Sequence, residues 1–202
     1  TAARPEAQGA LAQSSPAQTA RPAPASTPKV ESPLPPPQGF VNDFAAVIDE
    51  PTRAGLEARL RLLRERAKIE IGVVTVETTG ERDIFDYSLA VARGWGIGPP
   101  AGEEGGGVLL LLSVKDRKWQ IQLSRSLEAD LPDDVAGEIG GRMKPSLRAG
   151  QYGEAVDECV DGLVRRLAER RGFPTDGLVL RAKPEERPKA AGKSKPAPRR
   201  SP

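Results

Sequence analysis

No histidine occurs among the 202 residues, and cysteine and methionine occur once each. Without histidine there is no Ser-His-Asp or Cys-His nucleophile arrangement and no imidazole metal ligand. A single thiol, Cys159, leaves no intramolecular disulfide and no zinc cluster. Aromatics are scarce, two Trp, two Tyr and four Phe, all between Phe40 and Phe173. No apolar run approaches the ~18 residues that a membrane-spanning helix requires, so no segment of this sequence is expected to cross a bilayer.

Proline is plentiful, and its distribution divides the chain. Nine of the 20 prolines lie in residues 1–39 and six in residues 172–202. Both ends are rich in Ala, Pro and polar residues and have little apolar surface to offset ordering entropy, so they read as disordered tails. Residues 40–171 form one candidate domain, long enough to bury roughly two-thirds of its unfolded surface. Charge follows the same division. The domain carries 19 basic and 23 acidic side chains, net −4, whereas residues 172–202 carry 8 basic and 3 acidic, net +5. An acidic domain is a poor match for phosphate backbones, so no specific nucleic-acid partner is expected. The basic tail, interrupted by Pro and Glu, reads as solvated. The Ala/Pro-rich stretch from Thr1 suits a mature protein from which a signal peptide has been removed, so an extracytoplasmic location, periplasmic or secreted, is expected. The domain is expected to be monomeric.

Within the domain the hydrophobic period alternates between helix and strand. Residues 51–68 place Leu56, Leu60, Leu63 and Ala67 on one helical stripe behind Pro51. Residues 69–77 are short and β-branched, a buried strand. Asp83 opens a second helix carrying Ile84, Tyr87 and Val91, with Gly94 as its expected end. A glycine-rich loop, residues 94–107, leads into Val108-Leu109-Leu110-Leu111-Leu112-Ser113, which reads as a central strand buried on both faces. A turn at residues 114–117 precedes an alternating strand at 118–124. Pro132 opens a helix through Val135, Ile139 and Met143. Tyr152 opens another, with Val156, Cys159, Val160, Leu163, Val164 and Leu167 on its apolar face. The order predicts a single compact α/β/α sandwich with a small mixed sheet. The glycine-rich loop lacks the Gly-Lys-Ser/Thr ending of a phosphate loop and leads into a strand, which excludes that motif. Cys159, Trp95 and Trp119 read as core residues, and Arg125 as a solvated cation or an anion contact.

Six short stretches, in order, resemble the TPM domain family, which includes thylakoid-lumen proteins tied to photosystem repair and bacterial extracytoplasmic proteins. They are Val41-Asn42-Asp43-Phe44-Ala45, Trp95-Gly96-Ile97-Gly98, Gly107-Val108-Leu109-Leu110-Leu111, Asp116-Arg117-Lys118, Leu127-Glu128 and Leu131-Pro132-Asp133. The resemblance implies an α/β/α sandwich and exposure outside the cytoplasm. It also implies calcium binding in some members and the phosphatase activity ascribed to plant relatives. Two departures stand out. The family's Asp-Asn-Gly before the central strand is here Gly105-Gly106-Gly107. Its Gly-x-Gly-Leu-Glu-Gly turn is here Ser124-Arg125-Ser126-Leu127-Glu128-Ala129.

The metal ligands that the resemblance leaves are Asp43, Glu104, Glu128 and Asp133, with Glu103 and Asp130 nearby in sequence. Calcium takes six to eight oxygens, so the expected site is weak or vestigial, and Asp43 is equally suited to cap a turn. Two functions follow. The first is a tethered interaction or maintenance module with an eroded metal site, whose partner is an unidentified protein or envelope component. The second is a metal-dependent (Ca/Mg) acid phosphatase acting on phosphomonoesters, in which cations would neutralise the phosphoryl group.

Overall fold

A computed structural model describes residues 31–99 and 104–179. The tail expectations for residues 1–30 and 180–202, and Glu103, lie outside the described residues.

Four strands form one mixed sheet in sequential order: β1 (Val41–Asp43), β2 (Ile69–Val76), β3 (Gly106–Ser113) and β4 (Lys118–Leu123). The first three are parallel, and β4 returns antiparallel to β3 with Leu110 opposite Ile121. Parallel strands require crossover connections. These are α1 (Glu50–Ala67), between β1 and β2, and α2 (Ile84–Trp95), between β2 and β3. After β4 a single 3-10 turn (Arg125–Leu127) leads to α3 (Asp133–Arg142), α4 (Lys144–Arg148) and α5 (Tyr152–Arg171).

The alternation along β3 sorts the helices into two layers. Val108, Leu110 and Leu112 join Ile69, Ile71 and Val73 against α1, α3 and α5, where Leu56, Leu60, Leu63, Val160 and Leu163 are buried. Leu109 and Leu111 point the other way, with Val74 and Val76, onto Ile84 and Val91 of α2. The expected α/β/α sandwich is therefore present. Cys159 lies in the larger core, and burial pushes its thiol up to about 12, which leaves it an inert apolar filler.

Local signals explain most element ends. Asp49 caps α1 by accepting from the Thr52 amide at 3.0 Å, and Lys68 closes it in the left-handed region at φ 57°. Three expectations are corrected. The short strand β1 is present where none was expected. Helix α2 runs past Gly94 to Trp95 and is closed by Gly96 at φ 66°. Gly94 is needed for packing instead, because a Cβ there would come within 2.6 Å of Ser32. Finally, the chain after Met143 continues as α4, a separate short helix.

Packing also passes the expected domain limits. Leu34 lies against the α2 core, and Leu178 is buried in the core on the opposite face of the sheet.

Candidate functional site

The sheet presents two ends, and the expected ligands are divided between them. Asp43 finishes β1 at the carboxyl end of the parallel strands. Its side chain accepts from the amides of Val47, at 3.2 Å, and Ile48, at 2.8 Å, and from the hydroxyl of the fully buried Thr75. This closes the turn in which Ala46 adopts φ 52°. Of the two roles open to Asp43 in the sequence, the structure supports the turn cap.

Asp116 lies at the same end, in the β3–β4 turn. It accepts from Ser113 Oγ at 2.6 Å, the Thr79 amide at 2.9 Å and Thr78 Oγ1 at 3.0 Å. The Ser113 hydroxyl first, and then the Thr79 amide, hold its carboxyl down at about 2. The linear sequence gives no sign of this role, since Asp116-Arg117-Lys118 there carries only the resemblance.

The other candidates occupy the opposite end or its flank. Glu104 is exposed two residues before β3 begins, and Glu128 is exposed directly after the 3-10 turn. Asp133 is an exposed first residue of α3. Asp130 accepts from Arg171 Nε at 2.7 Å, and Arg171 Nη2 also donates to the Ser126 carbonyl at 2.8 Å, tying the end of α5 to this loop. Asp43 pairs with Thr75 and Ile69 with Gly106, so the length of β2 separates Asp43 from the Glu104 end by about 20 Å. Among the described residues no three Asp, Glu or Cys side chains gather where they would hold a metal ion.

The three glycines that stand where the family has Asp-Asn-Gly are sterically fixed. Gly105 has φ 132°, and a Cβ on it would come within 2.3 Å of the Lys68 carbonyl. A Cβ on Gly106 would lie 2.4 Å from Leu127 Cγ, and one on Gly107 would lie 2.6 Å from the Ile97 carbonyl. Such contacts exclude side chains from this backbone path. The donor set therefore does not fit calcium: one carboxylate is engaged in its own turn, three stand at the far end or its flank, and the path between Lys68 and Leu127 admits no further side-chain ligand.

Between α2 and β4 at this second end lies an open groove of about 630 Å³, lined by Phe85, Arg93, Gln122, Arg125 and Glu128. Phe85 is 49% exposed. Arg125 is exposed and forms no ion pair among the described residues.

The fold is similar to known ones. The N-terminal domain of a protein from P. gingivalis, solved by NMR, is 30% identical. The match covers 64% of this chain and 82% of that one, at a TM-score of 0.58. The BA42 protein from the psychrophilic bacterium Bizionia argentinensis is 19% identical over 63% of this chain and 84% of its own, at a TM-score of 0.52, a likeness of fold. No curated protein matches the chain. The family model of the TPM domain matches residues 41–166, from the first residue of β1 into the last helix, and the chain therefore belongs to the TPM domain family.

Proposed function

We propose that this TPM domain is a non-catalytic interaction or maintenance module, tethered outside the cytoplasm by its Pro/Ala-rich N-terminal stretch. Its partner is a protein or another component of the envelope. The observation that carries this reading is the state of Asp43: its carboxylate is engaged by two backbone amides and a buried hydroxyl, about 20 Å from Glu104 and Glu128. Metal-assisted phosphoryl transfer requires several carboxylates converging on one or two cations beside the substrate. A cation that meets these carboxylates one at a time is held weakly.

The test is turnover of para-nitrophenyl phosphate by the full chain with Ca²⁺, Mg²⁺ or Mn²⁺, beside the Asp43→Ala and Glu128→Gln variants. The expected result is no metal-dependent turnover that either substitution removes. Metal-dependent turnover lost in both variants, with Glu128→Gln still folded, would establish the acid phosphatase instead. Cell fractionation that finds the protein with cytosolic markers would contradict the compartment.

A further inference from the structure

The carboxyl end of β3 opens onto a cavity distinct from the candidate ligands. This cavity, of about 480 Å³, lies between the β3–β4 turn and the α4–α5 junction, lined by Arg117, Lys118, Lys144 and Arg148 together with Trp119 and Tyr152. No acidic residue is among its lining residues. None of the four cations forms an ion pair among the described residues. In a domain of net charge −4, this is a local reversal of sign, and a concave wall of one sign raises the local concentration of counter-ions.

Hydrogen-bonded turns shape both walls. Asp116 pins the β3–β4 turn to Ser113, Thr78 and Thr79, and Arg117 is held there at φ 53°, a region that a turn normally assigns to Gly or Asn. A non-glycine residue in that region persists only where its surroundings enforce it, and such residues cluster at functional sites. On the other wall Gly150, at φ 75°, turns the chain sharply, with its amide donating to the Leu147 carbonyl at 3.2 Å. That turn brings Lys144 and Arg148 beside Tyr152, the first residue of α5, whose preceding Gln151 provides no side-chain cap.

We propose that this cavity binds a small organic anion with an apolar or aromatic body. The body rests on Trp119, Tyr152 and the adjoining Leu112 and Leu147, and the carboxylate, sulfonate or phosphate meets the four cations. The volume falls in the range of small-molecule sites. The apolar lining distinguishes the site from one for a bare inorganic anion. The chain's own C-terminal tail, itself basic, does not match it in charge. The site lies outside the carboxyl ends of the parallel strands, where open α/β sheets place ligands. The inference goes beyond the proposed function and stands whether or not the domain is catalytic.

The probe is 8-anilinonaphthalene-1-sulfonate, with its uncharged analogue N-phenyl-1-naphthylamine as the control, titrated into the full chain. The sulfonate is expected to bind saturably and the uncharged analogue much more weakly. The double variant Lys144→Gln/Arg148→Gln should lose about tenfold of the sulfonate affinity, as expected for two partly solvated charge contacts. The two tryptophans provide the location. In a ¹⁵N spectrum the Trp119 indole signal should shift on binding and the Trp95 signal should not. Equal binding of both probes, no saturable binding, an unchanged double variant, or a shift confined to Trp95 would each overturn the proposal.

Discussion

Thr75 of β2 donates its hydroxyl to the carboxylate of Asp43 across the β1–β2 register, and the pair closes the carboxyl end of the sheet from within. The same hydroxyl oxygen accepts the Ala45 amide at 3.3 Å. The acid that the family resemblance nominated as a ligand is thus part of the turn that feeds α1.

Replacing Asp43 should therefore be read first as a change in stability. Asp43→Ala removes the acceptor of two amides and a buried hydroxyl, and is expected to cost about 2 kcal/mol. Asp43→Asn, which keeps an acceptor oxygen, should cost less. Urea denaturation checks both, and an alanine variant as stable as the parent would contradict the capping role.

Restoring the family's Asp-Asn pair should fail. Gly105→Asp combined with Gly106→Asn puts side chains where a Cβ meets Lys68 O at 2.3 Å and Leu127 Cγ at 2.4 Å. Strain at Gly105 and overpacking at Leu127 together are expected to cost about 3 kcal/mol. A double variant that melts like the parent and gains calcium affinity would show that the loop relaxes easily into the family's arrangement.

The sequence is legible where a residue's partner is its own helical or strand period. The apolar stripe of α5, from Val156 to Leu167, and the continuous run of β3 announce their burial directly. Strand β1 offers no such period. It has three residues, one of them the acidic Asp43, and exists because Val41, Asn42 and Asp43 pair with Val73, Val74 and Thr75. The expected end of α2 falls on Gly94 instead of Gly96, since composition does not tell a packing glycine from a left-handed one. The site was less legible still. Glu104 and Glu128 come together with neither Asp43 nor Asp116, because strand direction, which the linear sequence does not display, sends them to opposite ends. The cationic cavity joins Arg117 and Lys118 to Lys144 and Arg148 through a helix, α4, that gave no periodic signal.

The link between α1 and α5 should respond to pH when it is cut. Arg59 donates to Asp161 at 2.5 Å and also to Asp157, with the guanidinium side chain only 9% exposed. Burial pushes the Asp157 carboxyl up, and the Arg59 charge opposes that shift. An acid whose folded value is raised loses stability for the protein as pH rises above the ordinary ~3.9 of an aspartate. Arg59→Ala removes the opposing charge and leaves two half-buried carboxylates side by side, at an expected cost of about 3 kcal/mol near neutrality. The difference from the parent should grow between about pH 4 and pH 7. Denaturation midpoints that stay parallel across that range would show that the pair contributes no differential charge stabilisation.

The Asp116 turn gives the opposite pH signature. Its folded value of about 2 lies below the ordinary aspartate value. Its stabilisation is therefore complete above about pH 4 and is lost as pH falls towards 2, where the carboxylate that binds Ser113 and the Thr79 amide becomes protonated. Asp116→Asn should lower stability at neutral pH and flatten the acid limb, since no charge remains to titrate there. The turn also holds Arg117 against the cavity, so the variant should bind 8-anilinonaphthalene-1-sulfonate more weakly although it deletes no cation. Removing a negative charge near an anion site would by itself strengthen binding. Weaker binding by Asp116→Asn therefore reports the positioning of Arg117, and tighter binding would show that the turn matters only through its charge.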